Sequence, residues 1–133
     1  MITQLPMPEN MAGWIDLYER CFQEPPSPFE IPPLFCTIEN NGEVIGFMSG
    51  FMTSATELYL QRIGMIHGKR RTVAMWHEIA DFSRGQGVRH LIGCIRCDNR
   101  RAIIMSMRTG WTIYGFKADT NGTSYVLTIL SLG

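Results

Sequence analysis

The sequence predicts an α/β fold of the α+β kind, built on a mixed β-sheet of about seven strands with helices packed against it. In the second half of the chain, buried runs alternate with amphipathic runs, which is the order of parallel strands joined by crossover helices. Elsewhere, paired runs flank Asn-Gly turns, which is the order of antiparallel hairpins. Together these two patterns predict a sheet with both kinds of pairing.

The chain of 133 residues is predicted to form a single domain, residues 1–133, that is long enough to bury a sizeable core. Lys and Arg number 12, as do Asp and Glu, so the overall charge does not favour a nucleic-acid partner. No run reaches the roughly 18 apolar residues of a membrane helix, and no secretion signal opens the sequence. We therefore expect a cytoplasmic protein without a membrane partner.

A short strand over Met1–Leu5 and a helix from about Glu9 to Phe22 open the chain. Residues 23–33 then hold five prolines, a density that excludes a helix and predicts a stiff, extended loop. The helix is predicted because six apolar residues recur at the spacing of one buried face, namely Met11, Trp14, Ile15, Tyr18, Cys21 and Phe22.

Two strands, Phe35–Glu39 and Glu43–Met52, flank Asn40-Asn41-Gly42, which is the strongest short-range hairpin signal. Gly46 and Gly50 interrupt the second strand and indicate bulges or a close approach of two backbones. A further strand, Glu57–Ile66, follows the hairpin.

A basic turn, His67-Gly68-Lys69-Arg70-Arg71-Thr72, joins this strand to the next helix. It carries three adjacent cations at a helix start, where the helix dipole is already positive and free N–H groups suit a phosphate. The turn is predicted either to bind an anion or to be a solvated basic loop. The helix shows apolar residues at helical spacing and ends near Gly85-Gln86-Gly87; they are Val73, Trp76, Ile79, Ala80 and Phe82.

The remaining elements complete the sheet. Val88–Cys97 is predicted to be a buried strand, and Asp98 or Asn99 caps a helix that runs to Gly110. Two strands, Trp111–Ala118 and Ser124–Leu132, close the chain about an Asn-Gly turn.

The cysteines, Cys21, Cys36, Cys94 and Cys97, are predicted to be buried free thiols because they lie in apolar periodic segments. Cys94 and Cys97 form a C-x-x-C pair. A structural zinc site usually needs a second ligand pair, and residues three apart on a strand face opposite sides. We therefore expect no metal.

The element order and several local patterns resemble the Gcn5-related N-acetyltransferases, the GNAT family, over nearly the whole chain. Ile38–Phe47 is similar to the family's second and third strands, and Gly68–Leu91 follows its pattern of turn, helix, Gly-Val and strand. The resemblance implies helices on both faces of the sheet and acetyl coenzyme A (acetyl-CoA) or CoA as cosubstrate. The family spacing in the helix before the final strands is matched by Asn99, Ala102, Gly110 and Trp111.

In the family the turn binds the pyrophosphate and the pantetheine runs between two splayed strands, here Leu58–Met65 and Val88–Cys97. The family signature has glycines where Arg70 and Thr72 stand, so a guanidinium and a capping hydroxyl would have to replace backbone contacts. The resemblance implies that the cofactor-binding residues are Ile63, Met65, Gly68, Lys69, Arg70, Arg71, Thr72, Val73 and Asn99.

Glu57 and Ser106 are the candidate catalytic residues. Glu57 falls about where several family members place the general base, and partial burial between strands would raise its pKa; the alternative is a strand-end glutamate in solvent. Ser106 stands where the family often has a tyrosine that protonates the leaving thiolate. A serine hydroxyl is short and a poor acid.

Two functions are compatible with this resemblance. The first is an acyl-CoA-dependent N-acyltransferase that transfers acetyl by direct attack of a primary amine, either a small molecule or a peptide. The second is a catalytically inactive domain with protein partners, for example a tailed-phage virion or assembly component located in the virion. The fold alone does not choose between them.

Overall fold

The structure, a computed structural model, describes residues 1–133 and contains seven strands, three α-helices and one short 3-10 helix. The predicted α+β fold with a mixed seven-stranded sheet is confirmed. The helices are α1 (Met11–Phe22), α2 (Val73–Gly85) and α3 (Arg100–Arg108). The strands are β1 (Ile2–Leu5), β2 (Leu34–Asn40), β3 (Glu43–Met52), β4 (Glu57–Met65), β5 (His90–Arg96), β6 (Thr112–Ala118) and β7 (Ser124–Ser131).

The strand order in the sheet is β1-β2-β3-β4-β5-β7-β6. The pairs β1–β2, β2–β3, β5–β7 and β6–β7 are antiparallel. β4 and β5 are parallel, with Glu57–Tyr59 opposite His90–Ile92. The prediction that these two strands are parallel neighbours is therefore confirmed.

The chain divides into two compact units. The first comprises Met1–Phe51 and Leu60–Phe82, and the second comprises Met52–Tyr59 and Ser83–Gly133. β4 contributes Glu57–Tyr59 to the second unit and its remaining residues to the first.

In the first unit, α1 packs its apolar face on the sheet. Trp14 and Tyr18 form a buried cluster with Phe35 and Phe47, and the other predicted residues of that face pack against the cluster. The helix begins at Met11 rather than at Glu9, because Asn10 has a non-helical backbone (φ −103°, ψ 21°). Ile38 of β2 points to the face opposite that of Phe35 and Thr37, because side chains alternate along a strand. Met75 of α2 lines a pocket with Ile38, so α2 lies on that opposite face of the sheet.

The β2–β3 hairpin forms as predicted. Asn41 and Gly42 both have positive φ (53° and 78°), as a two-residue type I′ turn requires, and Asn40 pairs with Glu43. The pairing register shifts opposite Gly46, where an added Cβ would overlap the carbonyl oxygen of Gly64. The expected bulge and close backbone approach at this glycine are both present.

The proline-rich segment between α1 and β2 departs from the prediction. It contains a 3-10 helix, Pro28–Glu30. The Ser27 hydroxyl caps this helix by accepting a hydrogen bond from Phe29 N–H (3.3 Å). Three residues of 3-10 helix are compatible with a proline at the first position, which needs no N–H partner there. Phe29 is 97% exposed at this turn.

The second unit is built on the long β5–β7–β6 ladder. β5 is shorter than predicted because Val88 N–H donates to Ser83 O (3.0 Å) in the turn that ends α2. The strand is also not buried throughout, since only Leu91 and Gly93 are fully buried. Trp111, Val126 and Thr128 are also buried in this unit.

Two further expectations about burial are wrong. Val73, which begins α2, is 56% exposed, because the apolar face of the helix is carried by Met75, Trp76, Ile79 and Ala80. Cys97 is exposed because β5 ends at Arg96. Cys36 is buried, Cys21 and Cys94 are half-buried, and all four thiols are free.

None of the helices has the length and apolar character needed to span a membrane. No group of three or more His, Cys, Asp or Glu side chains is arranged to hold a metal ion.

Candidate functional site

The turn between β4 and α2 is tight and partly capped. Gly68 has φ +84°, a conformation that favours glycine, and Lys69 N–H donates to Ile66 O (2.9 Å). The Thr72 hydroxyl accepts from Met75 N–H (3.1 Å), which is the capping role predicted for it. The turn therefore places its cations at the positive end of the α2 dipole.

A pocket of about 560 Å³ brings four of the predicted coenzyme residues together, namely Gly68, Lys69, Arg70 and Thr72. The same pocket is lined by three carboxylate side chains that were not predicted for it, Glu39, Glu43 and Glu78. Lys69 Nζ lies 3.4 Å from Glu43 Oε2, so its charge is partly matched within the chain. A phosphate at this turn would therefore rely chiefly on Arg70 and on N–H groups at the start of α2.

Arg71 is not among the residues that line this pocket. Its Nη2 donates to the carbonyl oxygen of Ile63 on β4 at 2.6 Å, a short, charge-assisted hydrogen bond. Desolvation lowers the pKa of Arg71, but a guanidinium keeps its proton in proteins. Arg70 and Arg71 are adjacent in sequence and yet make different contacts.

The Ile63 carbonyl lies on a definite edge of β4. Ile66 N–H donates to Ile45 O of β3 (2.9 Å), and the peptide groups of successive residues alternate along a strand. Ile63 and Met65 lie three residues and one residue before Ile66, so they turn their peptide groups to the edge of β4 opposite β3. These are the two strand residues that the resemblance assigns to coenzyme binding.

Glu57 lies at the start of β4, in the second unit, and is half-buried. Its Oε2 accepts from the Thr53 hydroxyl (3.3 Å), and its backbone is held by Ser54 Oγ and Thr53 N–H. The carboxylate is thus oriented by a turn that also caps the strand.

Asn99 and Ser106 lie on α3, also in the second unit. The Asn99 side chain caps the helix by accepting from Ala102 N–H (3.3 Å). Ser106 is only 7% exposed, and its carbonyl accepts from Trp111 N–H (2.9 Å). Both predicted residues therefore have a structural role in α3.

A second polar cluster joins α1, the 3-10 helix and β4, and it was not predicted from the sequence. The pKa of Tyr18 is raised to about 12, chiefly by burial and secondly by a hydrogen bond with Glu30. Arg62 Nη2 lies 3.1 Å from Glu30 Oε1, and its guanidinium lies over the rings of Tyr18 and Phe22 (5.9 and 5.5 Å to the ring centres). This cluster fixes the proline-rich segment to β4.

No protein-family profile matches the chain, and no curated protein is significantly similar to it in sequence. Solved structures of acetyltransferases do match it in fold. The ribosomal-protein-S18-alanine N-acetyltransferase from Escherichia coli is 18% identical, with a TM-score of 0.74 over 100% of this chain and 95% of that one.

Several of the similar structures hold a coenzyme, and two of them match at least 98% of this chain. An aminoglycoside 6'-N-acetyltransferase complexed with coenzyme A is 10% identical, with a TM-score of 0.72 over 100% of this chain and 97% of that one. A GNAT family acetyltransferase from Elizabethkingia anophelis with acetyl-CoA bound is 13% identical, with a TM-score of 0.70 over 98% and 97%. The chain therefore has the GNAT acetyltransferase fold.

Proposed function

We propose that this chain is an acyl-CoA-dependent N-acyltransferase that transfers an acetyl group from acetyl-CoA to a primary amine. The observation that carries the proposal is the turn of three cations at the start of α2. This turn occurs in a chain whose fold is that of acetyltransferases. Several of the similar structures contain coenzyme A or acetyl-CoA, which supports that choice of acyl donor.

The residues of the turn suit the phosphates of this coenzyme. Arg70 and Lys69 supply charge, and the first turn of α2 supplies N–H groups where the helix dipole is positive. Gly68, Thr72 and Val73 shape the backbone there. The peptide groups of Ile63 and Met65 would bind the pantetheine arm. Asn99 would contribute to coenzyme binding from the start of α3.

The bound coenzyme supplies a thioester whose thiolate is a good leaving group. The chain's own contribution is to position the amine and to remove its proton, which Glu57 does directly or through a water. Thr53 and Ser54 hold the Glu57 backbone and carboxylate in place for that role. N–H groups of β4 would stabilise the oxyanion. Ser106 is buried, so the thiolate departs without its help.

A second candidate, a catalytically inactive interaction domain, is favoured by one specific observation. The Ile63 carbonyl, which a coenzyme would need, already accepts the Arg71 guanidinium. In that case the fully exposed Phe29 would be an obvious contact for a protein partner, since aromatic side chains are enriched at interfaces.

Two measurements, coenzyme binding and thiol release, together separate the two candidates. We expect coenzyme A to bind by calorimetry, and acetyl-CoA to release free thiol faster in the presence of an amine than in buffer. The amines are a panel of small primary amines, polyamines and peptides with free N-termini. Binding of coenzyme A without amine-dependent release across the panel would favour the inactive domain, and absence of binding would rule out the transferase.

A further inference from the structure

Arg71 occupies the backbone acceptor that the proposed coenzyme would use. Its Nη2 is 2.6 Å from Ile63 O, and this carbonyl lies on the edge of β4 opposite β3. Arg71 is exposed and Ile63 is half-buried, but the bond joins a cation to a carbonyl at short distance, so it is charge-assisted and stronger than a neutral hydrogen bond.

We propose that Arg71 is an internal competitor for the Ile63 carbonyl, which makes this chain select a phosphate-bearing coenzyme over a bare pantetheine thioester. The inference rests on the proposed coenzyme function. A pantetheine arm that binds β4 at Ile63 must break the bond to Arg71, and a ligand without phosphates offers the released guanidinium no new acceptor. Coenzyme A brings phosphates to the turn that carries Arg71, so the guanidinium exchanges one acceptor for another.

The neighbouring arginine provides a matched control. Arg70 carries the same charge one position earlier but lines the pocket at the turn, and no hydrogen bond joins it to β4. Removing Arg70 should weaken the binding of phosphates without making Ile63 more accessible. The two substitutions therefore predict different responses to the phosphate-free half of the coenzyme: tighter binding for Arg71→Ala and unchanged binding for Arg70→Ala.

The test compares the parent, Arg71→Ala and Arg70→Ala with three ligands: pantetheine, adenosine 3',5'-bisphosphate and coenzyme A. Binding is followed by NMR titration for the weak ligands and by calorimetry for coenzyme A. We expect Arg71→Ala to bind pantetheine about tenfold more tightly than the parent, because one charge-assisted hydrogen bond no longer has to be broken. Arg70→Ala should bind pantetheine as the parent does and the bisphosphate more weakly.

A second measurement does not depend on any variant folding. In the free parent protein, the side-chain NMR signal of Arg71 should show restricted guanidinium rotation, and coenzyme A should change that signal. Through-bond correlations with the Arg71 backbone assign the signal in the parent protein itself.

The outcomes separate this inference from the function on which it rests. If coenzyme A binds the parent but Arg71→Ala binds pantetheine no more tightly, or if the Arg71 guanidinium rotates freely in the parent, the internal competitor is refuted and the transferase stands. If coenzyme A binds none of the three proteins, both proposals fail.

Discussion

The guanidinium of Arg62 lies 3.1 Å from the carboxylate of Glu30 while it covers the rings of Tyr18 and Phe22. This contact ties the 3-10 turn of the proline-rich segment to β4. The side chains are 44% and 23% exposed, so the pair is better shielded from solvent than the Arg20–Asp16 pair on α1.

We expect Arg62→Met to lower the free energy of unfolding by about 1–2 kcal/mol, because it removes a cation over two rings and leaves the Glu30 carboxylate without its partner. Urea unfolding measures the change. The control is Arg20→Met, whose ion pair is exposed and 3.8 Å long, and for which we expect a change within about 0.5 kcal/mol. Equal effects of the two substitutions would contradict an anchoring role for Arg62.

The raised pKa of Tyr18 predicts a pH-dependent stability. The phenol keeps its proton in the folded chain to about pH 12, whereas the unfolded chain releases it near its ordinary value of 10.0. The unfolded state therefore binds fewer protons between these values, and the free energy of unfolding falls as the pH rises through that window. We expect the stability advantage of the parent over Tyr18→Phe to shrink between about pH 10 and about pH 12.

Urea unfolding of both proteins at several pH values checks this. Burial also raises the pKa of Cys36 to about 12 and that of Cys21 to about 11, but both thiols are present in the two proteins and cancel in the comparison. Parallel stability curves for the two proteins would show that Tyr18 does not titrate differently in the folded state.

Glu57→Gln should slow amine-dependent thiol release by about a hundredfold if the carboxylate is the general base. The loss should be smaller at a pH where the amine is already deprotonated. The matched control is Glu43→Gln, which removes a carboxylate from the pocket at the turn and should affect coenzyme binding rather than proton transfer. A Glu57→Gln enzyme as fast as the parent would remove Glu57 from the mechanism.

Ser106→Ala should leave the rate within about twofold of the parent, because the hydroxyl is a poor acid and the residue is buried. Ser106→Tyr, which would restore the family's phenol, should instead destabilise α3 by about 1–3 kcal/mol through overpacking. The midpoint of thermal unfolding checks the second expectation. A faster and equally stable tyrosine variant would mean that the site is more open than its burial indicates.

The sequence was sufficient for the elements and their order because local chemistry determined them. Asn41-Gly42 specifies a turn with two positive φ angles, and the spacing of Trp14 and Tyr18 specifies the buried face of α1. Gly46 predicted a close approach of two backbones, and the structure has one at Gly64.

The contacts of the candidate site were less predictable, because they depend on where long side chains lie in three dimensions. Nothing in the sequence separates Arg70 from Arg71, yet one lines a pocket and the other binds Ile63 O. Glu78 also lines this pocket and lies about one helical turn beyond the start of α2. Helical spacing could have indicated that it is near the basic turn. The contact of Arg62 with Glu30 joins segments 32 residues apart and has no local signal.

The positions of the three tryptophans make the two compact units distinguishable by fluorescence. All three are buried; Trp14 and Trp76 belong to the first unit, whereas Trp111 is the sole tryptophan of the second. A Trp14→Phe/Trp76→Phe protein would report the second unit alone, and Trp111→Phe would report the first. Coincident denaturation midpoints in the two proteins would show that the chain unfolds as one cooperative body, and separate midpoints would show that each unit melts independently.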